Sequence, residues 1–74
     1  MQIWVDADAT PVPVKELLLR TANRAKVKVI FVANQILTIP VSKFIEVIRV
    51  PSGFDVADNY ILENMNPAEL VITS

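Results

Sequence analysis

The chain has no cysteine and no histidine. Without cysteine there is no disulfide to staple a small domain, no thiol nucleophile, and no sign of an oxidising compartment. Without histidine there is no imidazole to serve as general base or metal ligand. Any hydrolysis would have to run on carboxylates, a metal and water. Glycine occurs once, at Gly53. Phosphate-cradling loops of the G-x-G-x-x-G or P-loop kind need several glycines, so a standard dinucleotide or ATP fingerprint is excluded. No apolar run approaches the ~20 residues of a membrane span. The start, MQIWVDAD, lacks the basic and apolar regions of a secretory signal. A cytoplasmic protein with no membrane partner is therefore expected.

Charge of one sign is also lacking. Seven basic and eight acidic residues give a formal net charge of −1. This excludes a strongly cationic protein of the histone kind, but leaves a local nucleic-acid patch open. Arg20, Arg24, Lys26 and Lys28 form the only basic cluster. It reads first as a solvated helix face with its exit turn.

What is present is apolar. Hydrophobic residues make up 53% of the 74 residues, too many for a disordered chain. The length suits one domain, residues 1–74. A domain of this size buries only roughly 60% of its unfolded surface and is marginal alone.

The pattern predicts the order β-α-β-β-α-β. QIWVD, residues 2–6, reads as a buried strand. A helix follows from about Pro11 to Ala25, with Thr10 as N-cap and proline at the first helical position. Val14, Leu17, Leu18, Ala22 and Ala25 form its predicted apolar stripe. VKVIFVA, residues 27–33, is nearly continuous and β-branched, the pattern of a strand buried on both faces. Pro40 makes the next segment an irregular connection. FIEVIRV, residues 44–50, reads as a less buried strand. A second helix is expected from about Asp55 to Met65, with the stripe Ala57, Tyr60, Ile61 and Met65. LVIT, residues 70–73, begins a last strand. Alternating strands and helices imply an α/β fold with a mainly parallel sheet, in which sites form beyond the carboxyl ends of the strands.

Polar residues collect on that edge. Asp6 and Asp8 follow the first strand, Asn34 and Gln35 the second, and Asp55 and Asp58 open the second helix. Clustered carboxylates repel one another, and a hard divalent cation such as Mg²⁺ or Mn²⁺ relieves the repulsion. Such a cation can activate water and steady the leaving oxygen of a phosphodiester. The alternative stands beside it. Asp8 and Asp55 could cap the two helices, Asp58 could compensate a helix dipole, and Asn34 and Gln35 could be turn residues. Trp4 reads as core, and Ser52 as part of a cap-like turn.

Three stretches carry a resemblance to a known family: IWVDADATPVPVKELLLR, FVANQ with the downstream IPVSKFIEVIRV, and GFDVADNYI. Together with LVITS they resemble, in register over essentially the whole chain, the bacterial YaiI/YqxD family, whose fold is assigned as PIN-like. The resemblance implies a Rossmann-like sheet whose acidic edge binds Mg²⁺ or Mn²⁺ and cuts RNA or DNA. On the matching positions it assigns Asp6, Asp8, Asp55 and Asp58 as metal ligands and catalytic residues, with Asn34 and Gln35 as polar site contacts. Thr10 stands where the family usually carries cysteine. Family members run to about twice this length and place a further aspartate after the LVIT strand. The resemblance thus implies an N-terminal half, inactive by itself.

Two rival readings accompany it. Asp6-Ala7-Asp8-Ala9-Thr10 resembles the first motif of haloacid-dehalogenase-like phosphatases, with Asp6 as nucleophile and Asp8 as general acid, and LVITS resembles their second motif. The later lysine and acidic motifs have no counterpart here. The third reading is a non-catalytic interaction module that forms a homo-oligomer through an uncovered sheet edge.

Overall fold

The computed structural model describes residues 2–40 and 42–72. Its elements run β1 (Gln2–Asp6), α1 (Val12–Ala25), β2 (Lys28–Ala33), β3 (Ile45–Arg49), α2 (Val56–Asn64) and β4 (Leu70–Ile72). The expected α/β order is met. The four strands form one parallel sheet in the order β3-β2-β1-β4. The strand expected over 70–73 is described over Leu70–Ile72, and Thr73 lies outside the described residues.

The sheet separates two apolar layers because strand side chains alternate. Ile3 and Val5 of β1, with Val29, Phe31 and Ala33 of β2, pack on the α1 side against Leu18 and Ala22. Trp4, Ile30 and Val32 face the other way, onto Ile61, Ala57 and Tyr60 of α2. β2 has both faces covered, as its continuous apolar run implies. β3 lies at the edge and leaves Glu46 and Arg49 exposed, so its mixed sequence reports its position.

Parallel neighbours need a crossover, which is usually a helix. Between β2 and β3 the crossover is irregular, as Pro40 requires. Leu37, Ile39 and Phe44 from this segment pack onto the α1-side core and do the covering instead.

Two expectations about α1 are corrected. Pro11, not Thr10, occupies the N-cap position, without a side-chain cap bond. The Thr10 hydroxyl instead donates to the carbonyl of Asp6 at 2.8 Å, because the chain folds back into a turn before the helix starts. The buried stripe is Leu18 and Ala22 with Leu19 beside it, while Val14, Leu17 and Ala25 are exposed. Sequence spacing fixes the angle between side chains, but the helix rolled toward Leu19 when it met the sheet. The expected α2 stripe of Ala57, Tyr60, Ile61 and Met65 does pack on the sheet, joined by Val56.

Candidate functional site

Strand alternation decides where Asp6 goes. Trp4 faces α2, so Asp6, two residues on, projects from the same face at the strand's carboxyl end. α2 begins at that end and carries Asp58 in its first turn. Both carboxyls line the same cleft. The Asp6 carboxyl is held above the ordinary carboxylate range, first by burial, then by contact with Asp58 and its charge, with a smaller push from the charge of Asp8. The backbone N–H of Ala9 offsets part of this.

The turn after β1 is tightly fixed. The Ala7 N–H extends the ladder to the Val32 carbonyl at 2.9 Å, and the Ala9 N–H and Thr10 hydroxyl both donate to the Asp6 carbonyl, at 3.2 and 2.8 Å. Thr10 is buried, so its hydroxyl needs that partner. The turn swings Asp8 outward, where its Oδ2 accepts the Asn34 N–H at 2.6 Å. This bond ties the end of β1 to the end of β2.

The other wall is the loop into α2. Gly53 has φ 155°, and a Cβ there would come within 2.8 Å of Cγ2 of Val56. Asp55 has φ 61°, a left-handed conformation that aspartate tolerates better than most residues. Asp6, Asp8, Ala9, Asn34, Gly53 and the first residues from Asp55 to Asp58 line one open cleft of about 200 Å³.

The six expected site residues therefore divide. Asp6, Asp8, Asp55, Asp58 and Asn34 share the cleft, whereas Gln35 is exposed and does not line it. Of the other carboxylates, Asp58 acts most on Asp6. Among the described residues, no group of three carboxylates stands close enough to hold a cation. Asp8 is engaged by Asn34, and Asp55 sits exposed on the loop. The capping explanation is also corrected. Asp8 bonds to Asn34 rather than to α1, and Asp55 holds the N-cap position of α2 without a side-chain cap bond. The Thr73 and Ser74 of the phosphatase-like second motif lie outside the described residues.

Sequence reasoning gave Thr10 and Gly53 no site role. The one glycine in an otherwise glycine-free chain was the available signal for the second. The basic cluster is remote. α1 runs back from the carboxyl edge, so Arg24 and Lys26 end at the start of β2, where Lys28 pairs with Glu46 at 3.5 Å.

The pattern of the family described as "Uncharacterized BCR, YaiI/YqxD family" matches residues 4–74. A UPF0178 protein from Maridesulfovibrio salexigens is 58% identical over 74 residues, covering all of this chain and 49% of the relative. UPF0178 proteins from Shewanella amazonensis and Shewanella sediminis are 57% and 55% identical over the same span, covering 50% and 49% of those chains. No solved structure matches. The chain spans about half the length of the curated relatives it matches. Full coverage at this identity, in register with the family pattern, means that the chain belongs to the YaiI/YqxD family.

Proposed function

We propose that the cleft at the carboxyl edge is the cation-binding part of a PIN-like nuclease site, acting on phosphodiesters of RNA or DNA. One observation carries this reading: Asp6 and Asp58, from β1 and α2, line one cleft, and burial together with Asp58 raises the Asp6 carboxyl above its ordinary range. Two like charges held together cost stability unless a proton or a cation comes between them. The donor set is oxygen only, which suits Mg²⁺ or Mn²⁺. Asp6 and Asp58 would hold the cation, and Asp8 and Asp55, which line the same cleft, are not close enough to complete a ligand set with them. When bound, the cation supplies Lewis acidity toward a phosphoryl oxygen and acidifies a water. Asp8 and Asp55, exposed in the same cleft, would take the proton from the attacking water.

The test is the melting temperature with and without millimolar Mn²⁺. A ligand that binds the folded state alone raises Tm. A rise that disappears in Asp6→Asn and shrinks in Asp8→Asn is expected. Equal rises in all three proteins would remove the carboxylate reading.

A second reading has its own observation. Leu70 and Val71 of the β4 edge strand are exposed on opposite faces of the sheet, an uncovered edge of the kind that pairs with another chain. A monomer mass by light scattering across a wide concentration range would exclude self-association there.

A further inference from the structure

One large side chain beside the cleft is left unpacked by the described residues. Phe54 is 93% exposed, the most exposed of the large hydrophobics among the described residues. It stands between Gly53 and Asp55, both of which line the carboxylate cleft. A ring in water costs free energy, and the backbone of the loop that presents it is constrained. A side chain at Gly53 would strike Val56, and Asp55 is left-handed. The same short loop leads back to Arg49 at the end of β3. Arg49 is exposed and is in no ion pair among the described residues. It lines a second groove with Val50, Pro51 and Ser52, and that groove meets the carboxylate cleft at Asn34, which lines both.

We infer that Phe54 and Arg49 hold an unpaired nucleic-acid strand across this rim, a base stacking on the Phe54 ring and a backbone phosphate meeting the Arg49 guanidinium. The chemistry is complementary to the cleft. Carboxylates repel a phosphate backbone, so a strand needs anchoring contacts outside them. An aromatic face accepts any base, and a guanidinium fork suits phosphate. A duplex keeps its bases stacked inside and cannot offer one to Phe54, so the rim selects unpaired strands. The inference deepens the reading of the cleft as a phosphodiester site and rests on it.

The experiment is fluorescence anisotropy of the 74-residue chain in Mn²⁺ buffer with three labelled probes: a short oligouridylate, the matching oligothymidylate and a duplex of the same length. Both single strands are expected to bind more tightly than the duplex, and a difference between them tells whether the sugar is read. Phe54→Ala should weaken single-strand binding about tenfold, the scale of one lost base stack. Phe54→Trp should restore it, whereas Phe54→Leu, equally apolar, should not. Arg49→Gln should weaken both single strands together and lower the salt dependence by about one phosphate contact. Because Phe54 is almost wholly exposed, its variants should melt with the parent. Failure of the parent to bind, preference for the duplex, or parent-like binding by Phe54→Ala overturns the inference. The Mn²⁺ shift in Tm judges the carboxylates separately: a shift with neutral Phe54→Ala sinks the stacking role alone, and stacking without a shift sinks the cation site alone.

Discussion

The two ends of β1 each hold a carboxylate, and they treat it in opposite ways. At the amino end, Glu69, just before β4, accepts hydrogen bonds from Gln2 Nε2 at 2.6 Å, Trp4 Nε1 at 3.0 Å and the Asn66 N–H at 2.8 Å. These donors hold its carboxyl down to about 2, the Asn66 N–H contributing most. At the carboxyl end, Asp6 meets burial and another carboxyl, and is pushed upward. One end gives charge every partner it needs. The other assembles charge without neutralising it. Structural sites satisfy their polar groups, and functional sites are where proteins tolerate the opposite.

The contrast can be broken most severely at Trp4, which is 5% exposed and packs against Tyr60 with ring centroids 6.4 Å apart. Trp4→Ala should cost about 3–5 kcal/mol. A domain of this length has roughly 4–11 kcal/mol in all, so the variant should melt at a much lower temperature when followed by circular dichroism. Trp4→Phe keeps most of the ring and deletes the bond to Glu69, with an expected loss of about 1 kcal/mol in urea denaturation. Glu69→Gln should lower Tm by less than Trp4→Ala, because the amide oxygen still accepts while the charge is gone.

The opposite sign is expected at the other end. Asp58→Asn removes the repulsion from Asp6, so the metal-free protein should become slightly more stable, by less than about 1 kcal/mol at this solvent-screened position. The same variant should lose its Mn²⁺ response. A destabilised Asp58→Asn would show that the pair supports the fold, which would end the contrast.

Acidity separates the two ends with opposite slopes. Glu69 binds protons less readily when folded, so its contribution is complete above the ordinary value of 4.5 and is lost as pH falls toward about 2. Asp6 binds its proton more readily when folded. Its contribution is complete below the ordinary value of 3.8 and is lost as pH rises through the raised value. The advantage of Asp58→Asn over the parent should therefore fade on acidification from neutral pH, while the deficit of Glu69→Gln fades only below pH 4.5. Paired Tm profiles against pH read both.

Much of this was legible along the chain. The element order, the doubly covered β2 and the irregular segment at Pro40 follow from local pattern, because strand and helix periodicity are properties of neighbouring residues. The acidic edge was legible as well, since parallel topology sends every strand's carboxyl end the same way. Caps were misjudged. Thr10 looked like an N-cap in sequence, but its hydroxyl had a nearer acceptor in the Asp6 carbonyl once the turn closed. Asp8 found the Asn34 N–H across the sheet, a partner 26 residues away that no local rule identifies. Glu69 was invisible for the same reason, being 67 and 65 residues from Gln2 and Trp4.

The sequence by itself determined the α/β class, the strand buried on both faces, and the presence of four aspartates at one edge. These depend on composition and on periods of two and 3.6 residues. Tertiary structure alone decided which aspartates meet. Asp6 faces Asp58 because α2 lies on the Trp4 side of the sheet, and Asp8 turns to Asn34 because β1 and β2 are neighbours in register. Contacts between distant residues depend on how layers and strands pack, and packing is settled only when the whole sheet closes around its core.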